Sequence, residues 1–226
     1  MNIFSNTEGN DNPIVEIKNS VMAKTFTWVA IALLISSISA YATYKMASIE
    51  LYTLYPAFII AELVLVLGLS FGLRKMPLWL SATFFIGYSV LNGITFSALF
   101  YVYELGSMAT LFIETAAVFA VLAVLGFTTN VDLQKWSIGL TVMLFVGLFV
   151  SIINLFIGSS MIEIGLTWAM LILFFVLVIY DTQKIKMLAA DGTIDDNKLA
   201  IYGAMELYLD FVNIFIRLLA LFGKRK

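Results

Sequence analysis

Seven stretches of almost unbroken apolar side chains, each of about 20 residues, divide the chain, and each is long enough to cross a hydrocarbon core of about 30 Å as a helix. They run over residues 25–44, 52–73, 78–100, 107–128, 134–157, 162–184 and 197–222. Lipid offers no partner for backbone amides, so runs of this kind must bond internally as helices. The expected fold class is an all-α integral membrane protein, a bundle of seven transmembrane helices in one domain over 21–226. Residues 1–20 are polar, contain Pro13 and lack a basic start followed by an apolar core. They are expected to form a short mobile tail rather than a signal peptide.

The pattern is sharpest around the last two runs. The apolar periodicity of the sixth continues past Lys184 through Met187, Leu188, Ala189 and Ala190 to Asp191-Gly192. Gly192 is placed to end that helix in a left-handed cap. Asp195 or Asp196 can then cap the seventh through a side-chain oxygen. On the seventh, Tyr202, Glu206, Asp210, Asn213 and Arg217 recur at spacings of four, four, three and four, which predicts one polar face turned into the bundle. Phe211, Ile214, Phe215, Leu218 and Phe222 are expected on the other faces, against lipid or neighbouring helices.

Composition agrees with a membrane protein. Of the 226 residues 62% are hydrophobic and 12% charged, against about 25% charged in a soluble domain, and the mean hydropathy is +0.99. The lipid bilayer is the expected partner, and nucleic acid is not. The chain has no cysteine and no histidine, which removes disulfides, thiolate nucleophiles, His–metal sites, Ser–His–Asp triads and imidazole pH sensing together. No cofactor is expected. A phosphate-cradling G-x-x-x-x-G-K-[ST] loop is missing too, which argues against an ATP-driven pump.

Charge sets the orientation. If the helices alternate in direction, Lys18, Lys24, Arg74, Lys75, Lys135, Lys184, Lys186 and Lys198 share one side, with Lys45 in the short loops opposite. That side, with the N-terminus, is therefore expected in the cytoplasm. The end Lys224-Arg225-Lys226 falls outside if the last helix spans fully, contrary to the usual bias, so a re-entrant last helix is the competing topology. Glu50, Glu104, Glu114 and Glu163 gather at the outer ends, where they would concentrate cations unless the basic tail cancels their field.

The candidate chemistry lies in two aspartates inside apolar runs. Carboxylates there are costly unless protonated, shared or paired. Asp181 lies 11 residues before Gly192 and Asp210 lies 14 after Asp196, a mismatch in depth of about 4.5 Å that helix tilt can absorb. Two carboxyls in contact cannot both ionise cheaply, so such a pair shares a proton and acts as a latch. Protonated, it holds helices six and seven together; deprotonated, it repels them unless a cation intervenes. The alternative is two separately neutral, hydrogen-bonded acids. Calcium is the candidate ion, held weakly and transiently by Asp181 and Asp210, because it usually takes six to eight oxygen ligands and few acids line this core. Glu62 in the second run is a third candidate pore residue, or else a protonated acid bonded to Asn92 or Thr95. Arg217 can gate or simply snorkel toward headgroups. Asn92-Gly93-Ile94-Thr95 places a small residue where helices approach closely.

YDTQKI at 180–185, LYLDFVNIF at 207–215, NGITF at 92–96 and DLQKWSIG at 132–139 together resemble the Bax inhibitor-1 (transmembrane Bax inhibitor motif, TMBIM) family. The resemblance covers nearly all of the chain after the tail. It implies a seven-helix bundle with the last helix at its centre and a pH-sensitive calcium leak, with Asp181 and Asp210 in the positions of the family's pH-sensing pair. Glu62 fits the acid of the family's second helix. Arg74 or Lys75 fits the following basic gating residue only approximately, because Leu73 occupies the expected place. Some bacterial relatives modulate a membrane-bound protease, so an interaction protein is the alternative function. An intramembrane aspartyl protease is a remote one: Leu207-Tyr208-Leu209 stands before Asp210 where those enzymes use Gly-x-Gly, and no Pro-Ala-Leu segment follows. A retinal protein is excluded, since no lysine lies between Lys198 and Lys224.

Overall fold

The computed structural model describes residues 13–46, 53–72, 76–129 and 131–226. Seven long helices carry the chain: α1 (Pro13–Met46), α2 (Tyr55–Gly72), α3 (Leu78–Phe96), α4 (Leu105–Thr128), α5 (Ser137–Ile157), α6 (Ser160–Asp191) and α7 (Asp196–Phe222). A one-turn helix, Leu99–Val102, follows α3, and a 3-10 turn, Leu133–Trp136, precedes α5. The protein is an all-α membrane protein, and five segments among the described residues are long and apolar enough to cross a bilayer: Glu16–Met46, Leu78–Val102, Leu105–Thr128, Leu133–Ile157 and Ser160–Asp191.

One boundary differs from the hydropathy pattern. The helix α1 begins at Pro13, whose fixed φ and missing N–H suit a first helical turn, so residues 13–20 extend the helix rather than belong to a tail. At the other end of the chain, α6 and α7 meet as their caps dictate. Gly192 takes φ +66° and stops α6; Asp195 accepts hydrogen bonds from the backbone N–H of Asn197 and Lys198 and starts α7.

More than half of the 27 residues of α7 are buried, and it packs against α1, α3, α4 and α6. Its aromatic residues do much of this packing. Phe211 lies edge-on to Phe112 and Phe119 of α4, and Tyr208 edge-on to Phe85 and Tyr88 of α3. Phe211, Ile214 and Phe215, expected against lipid or neighbouring helices, are buried against helices in this core. The helix is therefore apolar-packed around most of its circumference, with polar groups in two places rather than along one stripe.

Contacts at the two ends of α7 fix its course. Near its start, Lys24 of α1 donates to Asn197 Oδ1 at 2.9 Å. Beyond its end, the N–H of Glu104 donates to the carbonyl of Lys224 at 2.9 Å and the N–H of Lys226 to Val102 at 3.0 Å, a short antiparallel bridge. Tyr44, near the C-terminal end of α1, stacks on Phe100 at this same end. Thus α7 runs beside α1 and parallel to it, from Asn197 near Lys24 to the tail near Tyr44.

Candidate functional site

Close helix contact comes first, because it sets which polar groups can meet. The NGITF motif puts Gly93 of α3 directly against the backbone carbonyl of Ser36 and the side chain of Ser39 on α1, and a Cβ at Gly93 would collide with both. The two helices so joined carry a polar cluster. Ser36 Oγ lies 2.6 Å from the Tyr208 hydroxyl, and that hydroxyl donates to Asn92 Oδ1 at 3.0 Å. Asn92 Nδ2 reaches the Tyr88 hydroxyl at 3.4 Å. Glu62 of α2 accepts a hydrogen bond from Thr95 at 2.9 Å, with Asn92 close by. Of the two partners named for a hydrogen-bonded Glu62, Thr95 is one that it takes.

The second cluster is on the other side of α7, since Tyr208 and Asp210 are two residues and so about 200° apart around the helix. Asp181 of α6 and Asp210 of α7 meet there, near enough for each carboxyl group to act on the other. Both are buried, with exposures of 9% and 4%. Asp210 Oδ2 has no N–H or hydroxyl donor among the described residues. A pair of acids in this setting can be bridged by one proton, and repels when that proton leaves.

Beside the dyad lies an ion pair. Lys184 Nζ is 2.6 Å from Glu206 Oε1 and donates to the Tyr202 hydroxyl at 2.7 Å, with its ammonium over the Tyr202 ring. Lys184 and Glu206 are the charged groups that act on Asp181 and Asp210. Lys184 therefore belongs to the site, not only to the basic side of the charge map. Hydropathy could not assign it, because depth along α6 says nothing about which neighbour a flexible side chain finds. The antiparallel pairing of α6 and α7 through the dyad would have pointed to it: three residues on from Asp181 faces four residues back from Asp210.

The remaining candidates are placed apart. Asn213 donates one N–H to the carbonyl of Leu209 in its own helix. Arg217 lies at the far end, in a recess with Ser151, Asn154, Glu163 and Thr167, and its Nε is buried without an acceptor. Arg74 lies outside the described residues. At the end opposite the N-terminus, Lys224 lines a recess with Glu104 and Glu114, so the tail brings positive charge among the outer acids. Among the described residues no three acidic groups converge so as to hold a metal ion.

Comparison with known proteins follows the same residues. The family model described as "Inhibitor of apoptosis-promoting Bax1" matches residues 18–226. The chain is 35% identical over 214 residues to the inner membrane protein YbhL of Escherichia coli K12, covering 91% of this chain and 92% of that one. Uncharacterised proteins of Borreliella burgdorferi and Deinococcus radiodurans are 35% identical over 219 residues and 34% identical over 209, covering 93% and 90% of this chain and 94% and 90% of theirs. The fold defines an all-α helical membrane protein. The chain belongs to the Bax inhibitor-1 family.

Proposed function

We propose that this protein is a pH-sensitive cation leak, with calcium as the permeant ion, gated by the proton that Asp181 and Asp210 share. The observation that supports it is the meeting of two buried carboxyls from neighbouring helices, with the nearby Glu206 paired to Lys184 and no three acids among the described residues converging to make the site a store. Low pH keeps the bridging proton, and α6 and α7 stay joined. As pH rises the proton leaves, like charges repel, and the helices part unless a cation enters. Weak coordination suits passage, since conduction requires that an ion can also leave. In this reading α7 is the axis about which the other helices open, and the membrane is the bacterial inner membrane named for the Escherichia coli relative, with the N-terminus in the cytoplasm.

The test is calcium flux into vesicles that hold the purified protein and a calcium dye. Flux should rise with pH in the unaltered protein. Asp181→Asn and Asp210→Asn should each flatten that profile, because an amide cannot lose the bridging proton. An unchanged profile in both variants would sink the latch. The alternative, an interaction protein that modulates a membrane-bound protease, requires its cellular effect to survive loss of both aspartates.

A further inference from the structure

Resting on the reading of Asp181 and Asp210 as a cation passage, we infer that Lys184 is the resident cation of the carboxylate cluster: it keeps Glu206 out of the dyad's ligand set and so keeps calcium binding weak. Because α6 and α7 run antiparallel, Lys184 and Glu206 lie beyond the dyad in the same direction, by about 4.5 and 6 Å along the helix axes. Three carboxyls, Asp181, Asp210 and Glu206, therefore occupy one stretch of the α6–α7 seam, but the third is turned to an ammonium 2.6 Å away. The other oxygen of Glu206, Oε2, is buried with no hydrogen-bond donor in contact among the described residues, although the Tyr202 hydroxyl lies close to the same carboxylate. Together the pair and the orphaned oxygen describe an acid that has a cation on one side and an unused ligand atom on the other.

The remaining titratable groups along this seam do not compete for that role. Tyr180 and Tyr202 flank the cluster, and Tyr202 donates no charge but accepts from Lys184. Lys186 is turned away, donating to the carbonyl of Phe127 on α4. Gln183, immediately before Lys184, is bound to the α4–α5 connection through Leu133 N–H and Val131 carbonyl. Lys184 is thus the cation placed to neutralise Glu206. Its singly charged ammonium offers three donors and no acceptor, whereas calcium affinity grows with the number and charge of oxygen ligands. Removing Lys184 should free Glu206 as a third carboxylate.

Calcium binding to detergent-purified protein, read as the calcium-dependent rise in melting temperature, decides this. In Lys184→Gln the calcium concentration for half the effect should fall by about tenfold or more. Lys184→Arg, which keeps the charge, should match the unaltered protein, and Lys184→Gln combined with Glu206→Gln should lose the gain. Lys184→Gln binding no tighter than the unaltered protein, or a double variant that stays tight, overturns the inference. A measurement on the unaltered chain guards against a variant that does not fold. Reductive methylation of Lys184, whose side chain is 26% exposed, read by mass spectrometry, should run at the same rate in millimolar calcium as in sodium at equal ionic strength, because the ion pair stays closed when the dyad takes the ion. A several-fold acceleration by calcium, which would put Glu206 already among the ligands, also overturns it. These readouts do not depend on flux, so loss of the passage reading in the vesicle assay and failure of the Lys184 assignment are separate results.

Discussion

The Tyr208 hydroxyl joins α7 to α1 through Ser36 and to α3 through Asn92, and its ring is held edge-on by Phe85 and Tyr88. Tyr208→Phe keeps the ring and removes the hydroxyl, so Asn92 Oδ1 loses that donor in a buried place. The expected loss is about 1–2 kcal/mol, seen as a lower melting temperature of the detergent-purified protein. Since Tyr208 and the dyad lie on different sides of α7, the pH profile of flux should keep its shape. A flattened profile in Tyr208→Phe would join the two clusters into one switch. Residue by residue, the sequence was informative where a group had one place to go. Glu62 could reach only Asn92 or Thr95, and did so, because α2 and α3 are neighbours in chain and space. Asn213 shared the spacing of Asp210, yet its short amide found the carbonyl of Leu209 four residues back. Helical spacing gives a residue's face and not its partner, and a side chain that bonds its own helix escapes it.

At the scale of the element, the approach of α1 to α3 rests on a single missing methyl. Gly93 touches the Ser36 carbonyl and Ser39, and backbone cannot yield as a side chain tip can. Gly93→Leu should therefore force the helices apart at a cost of about 1–3 kcal/mol or more, and disturb the Ser36–Tyr208 contact next to it. The check is a melting temperature lowered beyond that of Tyr208→Phe. A variant as stable as the unaltered protein would mean that the two helices are not locked there. The α6–α7 turn tells a complementary story. Its caps were legible in the sequence, since Gly192 alone offers an unstrained left-handed residue and Asp195 a ready oxygen. Those caps fix the relative depth of Asp181 and Asp210, which is why the dyad could be read before the fold. The start of α1 was not legible, because residues 13–20 mix Ile14, Val15 and Ile17 with Glu16, Lys18, Asn19 and Ser20 and so break the continuous apolar run, although nothing in them prevents a helix. Nor was the inward packing of Phe211, Ile214 and Phe215, because in a bundle surrounded by lipid an apolar face may turn to either neighbour with similar ease.

For the whole molecule the unsettled expectation is the side on which the chain ends. Charge bias places Lys224-Arg225-Lys226 with the other basic residues, whereas the packing of α7 carries them to the opposite end. Local bonding accounts for this arrangement. The tail is tied through Lys224 and Lys226 to the α3–α4 connection, Lys224 lines a recess with Glu104 and Glu114, and the Lys226 ammonium donates to the Phe100 carbonyl and lies over the Tyr44 ring. Orientation signals act most strongly on the first helices to insert, so a short tail need not obey the bias that its neighbours set. The chain has no cysteine, which makes the prediction clean to check. In intact cells, a membrane-impermeant maleimide should label Arg225→Cys from outside and should reach Asp196→Cys only after the membrane is opened. Equal protection of both positions would place both ends of α7 on one side and contradict its course beside α1. Release of the tail is the corresponding test of its charge. Lys224→Gln leaves both backbone bonds to the connection in place but removes a positive charge from the Glu104–Glu114 recess, so calcium flux should increase if that recess gathers cations for the passage. The increase should vanish at high ionic strength, where exposed charges are screened.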